Sequence, residues 1–169
     1  SGSFSAASAP AVPANENLGP QKTAIIVLSY ADGSVTVSNA YINSTIFSSM
    51  NNYYVENSYQ KASFTGNVFG PYLVNKSKHC GYYGSTDAIA AAMAAANADI
   101  NFNDYSRYQI VSAGCYGGWG FVGKFNKTTP DGIVYASWSV VSGISGYFNL
   151  FVSGHEMGHN LGAMHANLL

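Results

Sequence analysis

The sequence contains few charged residues. Seven basic and eight acidic side chains make up only 9% of its 169 residues, and the formal net charge is -1. The basic residues are scattered along the chain and form no cluster that would contact the phosphates of a nucleic acid or an anionic membrane. The composition therefore argues against nucleic-acid binding, and also against electrostatic attraction of a strongly charged substrate.

Long hydrophobic runs are also missing. The longest candidate, residues 88–96, is a short alanine-rich stretch with one Ile and one Met, well below the roughly 20 apolar residues that cross a bilayer. The sequence begins at Ser1 without the basic and apolar regions of an export signal. Because apolar residues still make up 47% of the chain, we expect a folded domain without a membrane span, and any export signal to have been removed or to lie outside this sequence.

Only two cysteines are present, Cys80 and Cys115. They either form a disulfide bridge or remain as two unpaired buried thiols, and the sequence alone does not decide between these states. A bridge would be typical of an extracellular protein and would stabilise the fold by about 3 to 4 kcal/mol. Three Asn-x-Ser/Thr sequons, at Asn43, Asn75 and Asn126, are weaker signs of secretion. We therefore expect a secreted, extracellular protein with a disulfide between the two cysteines.

The chain divides into a short N-terminal segment and one folded domain. Residues 1–21 contain three of the five prolines and no hydrophobic periodicity, which is typical of a linker or the remnant of a pro-segment. The remaining residues, 22–169, alternate between strand and helix patterns, which predicts an α/β domain with a mostly parallel sheet. Helices are expected over 39–59, from Ser85 or Thr86 to Ala98 and from Tyr147 to Leu161, and strands over 24–30, 63–74, 107–113, 119–125 and 133–141. The last two strands are too close in sequence for a crossover helix, so they should be antiparallel.

The pattern that carries chemistry lies in the last predicted helix. Three of the four histidines fall within eleven residues, as His-Glu-Met-Gly-His at 155–159 followed by His165. Residues four apart lie on the same face of a helix, so His155 and His159 can bind one ion. Gly162 can adopt the left-handed conformation that ends a helix, and the resulting turn would bring His165 back to the same ion. The pattern predicts a Zn²⁺ site with three imidazole ligands.

Glu156 is the predicted catalytic residue at this site. Three protein ligands leave a fourth coordination position open, which is typical of catalytic rather than structural zinc. Zinc lowers the pKa of a bound water to about 7, and a neighbouring carboxylate can accept the proton when that water attacks a carbonyl. These groups suffice for hydrolysis of an amide, so we expect a metallopeptidase with Glu156 as general base. Two other functions stay open: a secreted binding or adhesion domain that keeps the fold without turnover, and a purely structural zinc module.

Two other patterns suggest different chemistry but lack the required context. Residues 118–123 match the Gly-x-Gly-x-x-Gly fingerprint of dinucleotide-binding proteins, yet Asn-Lys-Thr-Thr-Pro follows where that fingerprint needs a helix. His79 beside Cys80 suggests a thiol protease, but no second histidine outside the zinc motif could serve as partner of the cysteine. A glycine-containing edge strand and a bridged cysteine are the simpler interpretations.

The extended zinc motif resembles that of the metzincin metallopeptidases. Similarity to the gametolysin-like branch extends over residues 51–59, over 64–70 and over Cys115 with the Gly-Trp-Gly that follows it, and runs from about Lys22 to Asn167. The resemblance implies a zincin-like fold. In that fold a five-stranded, mostly parallel sheet with an antiparallel edge strand packs on two long helices and on the zinc-binding helix.

The resemblance also implies an activity and a way of binding substrate. Members of this family are zinc endopeptidases that cleave proteins outside the cell. Extended substrate pairs with the antiparallel edge strand, which by position would begin at Trp119 and end at Phe125. The family carries a methionine-containing turn well beyond the third histidine, whereas Met164 precedes His165 and cannot be that residue. We therefore expect residues 22–169 to be a catalytic domain that is incomplete at its C-terminus.

Overall fold

The computed structural model describes residues 16–78, 81–114 and 117–165. These residues form an α/β fold, with a six-stranded mixed sheet between helices. The strands are β1 (Gly19–Tyr30), β2 (Ala62–Val74), β3 (Arg107–Ser112), β4 (Gly118–Gly120), β5 (Phe125–Thr129) and β6 (Gly132–Ser142). The helices are α1 (Asn39–Ser44), a π-helical stretch (Thr45–Met50), α2 (Asn51–Asn57), α3 (Gly81–Ala96) and α4 (Leu150–Asn160), with a short 3-10 helix at Phe102–Asp104.

The sheet contains one more strand than the predicted five. Its order is β2-β1-β3-β6-β4, and β5 pairs with the first part of β6. The strands β2, β1, β3 and β6 are parallel, whereas β4 and β5 are both antiparallel to β6. The single edge strand predicted from Trp119 to Phe125 is therefore wrong in its extent, since β4 ends at Gly120 and β5 begins at Phe125. The reason is that β6 spans 11 residues and pairs with two short strands in succession.

Helices cover both faces of the sheet at its central strands, β1 and β3, which are almost entirely buried. Along β1 the side chains of Ala24, Ile26 and Leu28 enter one apolar core together with α3, while those of Ile25 and Val27 enter a second core. The second core also receives residues from α1, from the π-helical stretch and from α4. The alternation explains the continuous apolar run of β1, since a parallel strand covered on both sides has no solvent-facing side.

The predicted starts of α3 and β1 differ from those in the structure. The helix α3 begins at Gly81 rather than at a cap formed by Ser85 or Thr86. Ser85 is buried inside the helix, because tertiary packing outweighs the weak local preference of a serine for a helix end. The strand β1 begins at Gly19, so the last residues of the predicted 1–21 linker belong to the sheet.

Three further predictions have different outcomes. The helix predicted over residues 39–59 is confirmed from Asn39 to Asn57 by the uninterrupted succession of α1, the π-helical stretch and α2, and it ends two residues before the predicted end. Among the described residues, no helix has both the length and the apolar character that a membrane span requires. Cys80 and Cys115 lie outside the described residues, so their disulfide stays a prediction.

Candidate metal centre

The helix α4 carries two of the three predicted metal ligands. It begins after Asn149, whose side-chain oxygen accepts a hydrogen bond from the backbone N–H of Val152 at 3.0 Å. An asparagine in this position caps a helix rather than continuing it, so the helix starts later than the predicted Tyr147. One turn apart on α4 lie His155, which is exposed, and His159, which is half-buried. Both imidazoles are therefore accessible to an ion from solution.

The third ligand, His165, reaches the site because the helix ends in a sharp turn. Gly162 has a φ of +95°, in the left-handed region that favours glycine, and its N–H donates to the carbonyl of His159 at 2.8 Å. The N–H of Ala163 donates to the carbonyl of Gly158 at 3.0 Å. These two bonds form a Schellman motif, which reverses the direction of the chain after the helix. The turn predicted at Gly162 is confirmed.

The three imidazoles converge on one point. Their Nε2 atoms lie 3.0 Å apart from His155 to His165, 3.1 Å from His159 to His165 and 3.2 Å from His155 to His159. A point about 1 Å out of the plane of these three atoms is about 2.0 to 2.1 Å from each of them, which is the usual zinc–nitrogen distance. The near-equilateral triangle is therefore compatible with one ion held by three imidazoles. These histidines form a group that could hold a metal ion.

A hydrogen bond determines which nitrogen of His159 faces the site. Its Nδ1 lies 2.7 Å from the carbonyl oxygen of Ala163. Because a carbonyl can only accept, Nδ1 carries the proton in the neutral imidazole, and Nε2 then has a free lone pair. Metal-binding histidines usually have such a partner, which orients the ring and raises the basicity of the ligating nitrogen. The donor chemistry of the site therefore suits a divalent metal ion.

Glu156 lies next to the histidines and in contact with β4. Its side chain is only 7% exposed. A Cβ added to Gly118 would lie 2.7 Å from its Cγ and its Oε1, and a Cβ added to Gly120 would lie 2.7 Å from its backbone oxygen. Such distances are far below van der Waals contact, so only glycine at both positions lets β4 approach Glu156 this closely. Residues two apart in a strand face the same side, which is why the two glycines act together.

Opposing effects act on the ionisation of Glu156. Burial raises the pKa of its carboxyl, and positive charge on His159 and His165 lowers it. Burial is the larger effect, so the pKa lies above the ordinary value of a glutamate. A carboxylate whose conjugate acid has a raised pKa is the stronger base, which suits proton transfer near neutral pH.

Two cavities meet at the histidine cluster. One, of about 510 Å³, has largely apolar walls that include Tyr53, Leu150, Phe151 and Met164. The other, of about 550 Å³, lies along β4 and is lined by Glu156. All three histidines line both cavities. A ligand bound at the histidines can therefore extend in two directions.

The sequence did not identify several residues that support the site. Gly118 and Gly120 carried a signal that was available, because glycines two apart in a strand leave one face open for a close neighbour. No feature of the sequence indicated the role of Tyr54, because its partner is far away in the chain. Its hydroxyl donates to the carbonyl of Gly154 on α4 at 2.7 Å. Burial raises the pKa of Tyr54 to about 12, so this hydroxyl keeps its proton at neutral pH and holds α4 against α2.

Comparison with known proteins gives no family assignment. No family model matches the chain, and no curated protein matches it. The resemblance of the zinc motif to that of metzincins therefore stays a prediction, and the functional interpretation depends on the chemistry of the site.

Proposed function

We propose that this protein is a zinc-dependent endopeptidase of the metzincin kind, which cleaves extracellular proteins. The observation that carries the proposal is the triangle of three imidazole nitrogens, 3.0 to 3.2 Å apart, with the carboxylate of Glu156 next to it. Three neutral ligands leave one coordination position for water and substrate. Structural zinc sites usually close all four positions with protein ligands, most often thiolates. The donor set therefore favours a catalytic site over a purely structural one.

Zinc is the metal that best suits these ligands. Calcium and magnesium prefer oxygen ligands, whereas imidazole suits zinc and other transition metals, and a tetrahedral arrangement favours zinc among them. The Nε2 atoms of His155, His159 and His165 would hold the ion. When bound, zinc supplies the Lewis acidity that activates water and polarises the carbonyl of the substrate.

Glu156 supplies the base in this proposal. It lies on α4 between two of the proposed ligands. The strand β4 packs directly against it, because Gly118 and Gly120 have no side chain that would overlap it. Contact with β4 therefore helps to position its carboxylate beside the reacting groups, and such positioning is a large part of catalysis. The carboxylate would accept a proton from the water that attacks the scissile carbonyl, and the resulting acid would donate that proton to the amine nitrogen as the C–N bond breaks.

The substrate in this proposal is a polypeptide bound in extended form along β4. In the sheet order β4 is a terminal strand, so no other described strand pairs with its outer edge. An extended peptide can add to such an edge through backbone hydrogen bonds, while its side chains enter pockets. The cavities on either side of the histidines offer room for those side chains, and the apolar walls at Tyr53 and Phe151 favour an apolar one. The extracellular location is supported by the two cysteines and three sequons of the sequence.

Substitution of the base separates metal binding from catalysis. In the full-length protein, Glu156→Gln should keep zinc binding and lower the turnover of casein about 100-fold or more, whereas His159→Ala should lose both. Glu56→Gln, at an exposed position on α2, is the matched control and should keep both. Equal turnover by Glu156→Gln and the parent protein would show that another group is the base. Zinc binding without any hydrolysis by the parent would instead favour a binding or adhesion domain.

A further inference from the structure

Arg107 is a fully buried cation next to the end of the zinc-binding helix. It is the first residue of β3, and its side chain is 0% exposed. Its guanidinium donates four hydrogen bonds, to Gln21 Oε1 (2.8 Å), Ser137 Oγ (3.0 Å), the carbonyl of Asn160 (2.6 Å) and Asn17 Oδ1 (2.7 Å). All four acceptors are neutral. Burying a cation is costly unless nearby groups compensate its charge. The groups that surround Arg107 therefore indicate its role in the structure.

Two sources compensate this charge: the nearby carboxylate of Glu16, which acts against the effect of burial on the pKa of Arg107, and the end of α4. The carbonyl of Asn160 is among the last carbonyls of the helix, which lack a partner within the helix and form the negative end of its dipole. It accepts the shortest of the four bonds from Arg107. Burial lowers the pKa of Arg107 to about 10, so the guanidinium stays positively charged at neutral pH. The contact therefore pairs a buried cation with the negative end of the zinc-binding helix.

Asn17 connects Arg107 to the next carbonyl at the end of α4, that of Leu161. Its side-chain oxygen accepts from Arg107, and its Nδ2 donates to the carbonyl of Leu161 at 2.9 Å. Arg107 and Asn17 together hold two consecutive carbonyls, those of Asn160 and Leu161. These carbonyls lie in the segment that joins the second metal ligand to the third, just before the chain turns.

We infer that Arg107 is a positioning residue for the metal centre, and that Asn17 shares this role. Both act through the backbone: they fix the carbonyls at the end of α4, and so the direction in which the chain leaves the helix towards His165. Metal binding needs its ligands within a few tenths of an ångström of their places, so a small displacement of His165 lowers metal affinity. The inference rests on the metal site of the proposed function.

The test compares zinc affinity and ligand geometry in four versions of the full-length protein. These are the parent, Arg107→Met, Arg107→Lys and the control Lys61→Gln, which removes an exposed positive charge. Affinity is measured by competition with a chromophoric chelator, and geometry by the visible spectrum of Co²⁺ bound in place of zinc. We expect Arg107→Met to lower zinc affinity about 10-fold to 100-fold and to alter the cobalt spectrum. Arg107→Lys should restore part of the affinity, because it keeps the charge without the planar fork, and the control should match the parent.

A merely structural role of Arg107 would give a different result. Arg107→Met would then lower the melting temperature of the metal-free protein but leave the zinc affinity of the folded protein and the cobalt spectrum unchanged, which would overturn the inference. If Arg107→Met does not fold, the zinc affinity of Asn17→Ala tests the inference instead. This substitution removes the contacts of Asn17 with Arg107 and with the carbonyl of Leu161 and leaves Arg107 in place. A drop of about threefold to tenfold in its zinc affinity would support the inference, and an affinity equal to the parent's would overturn it. A parent protein that binds no zinc would refute the metal site and this inference together.

Discussion

A methyl group added at Gly118 should disable the proposed catalytic base, Glu156, without preventing the binding of a metal ion. A Cβ there would lie 2.7 Å from the Cγ and the Oε1 of Glu156, whereas carbon atoms in contact are separated by about 3.5 to 4.0 Å. The overlap involves the atoms of one flexible side chain. Glu156 can relieve it by rotating away by about 1 Å, so the fold should persist with its carboxylate displaced.

The expected loss of turnover follows from the size of this displacement. A misplacement of about 1 Å can lower a rate about 100-fold, and the whole contribution of a general base is about 10² to 10⁴-fold. We therefore expect Gly118→Ala to lower kcat for casein about 100-fold. Zinc affinity should change little, since the three atoms nearest to the added Cβ all belong to Glu156 rather than to a histidine.

Two companion variants make this test specific. At Gly154, on α4, the nearest atom to an added Cβ is the Cγ of Met50 at 3.9 Å, so Gly154→Ala should fit and stabilise the fold by about 0.5 to 1 kcal/mol. At Gly120 an added Cβ would overlap the backbone oxygen of Glu156, which cannot rotate away. Unlike Gly118→Ala, Gly120→Ala should therefore destabilise the fold itself, by about 1 to 3 kcal/mol in thermal denaturation. Native turnover by Gly118→Ala would refute the reasoning.

Three solution measurements test other features of the protein. In the folded protein the pKa of Tyr54 is about 12, whereas an unfolded tyrosine has a pKa of about 10, so the unfolded state loses the hydroxyl proton at lower pH. The protonated hydroxyl of Tyr54 therefore contributes its full stabilisation below about pH 10, and that contribution is lost as the pH rises through the pKa of the folded protein. The free energy of unfolding in urea should therefore fall less steeply with alkaline pH in Tyr54→Phe, and an unchanged slope would contradict this. Zinc affinity should fall on acidification because the imidazoles must be neutral to bind, and an affinity that does not change from about pH 7.5 to about pH 5 would argue against histidine ligands. Cys80 and Cys115 should yield no free thiol in the unfolded, unreduced protein, and titration of two sulfhydryls would disprove the bridge.

The candidate metal ligands could be predicted from the sequence because their geometry is local. His155 and His159 are one helical turn apart, so the period of the helix alone places both rings on one side. Gly162 marks the turn that returns His165, because a glycine just beyond a helix is the usual residue in the left-handed conformation. The structure adds the distances, which show that the three rings converge closely enough for one ion.

The partners in the contacts that support the site could not be predicted, because they are far apart in sequence, even where two glycines in a strand indicate that some close neighbour exists. Asn17 and Arg107 are 90 residues apart, and Gly118 meets Glu156 only because β4 packs against α4. The number of strands was missed for a related reason. Hydrophobic periodicity indicates where a strand runs, but it does not show that one long strand, β6, pairs with two short partners.

The zinc content of the purified protein tests the central claim most directly. The full-length protein should be prepared without chelator, offered zinc at about pH 7.5, freed of unbound metal and examined by elemental analysis. The three converging imidazoles of His155, His159 and His165 predict one zinc ion per chain, and a much lower content in His159→Ala. A zinc content near zero in the parent protein would contradict the metal centre, and with it the proposed peptidase activity.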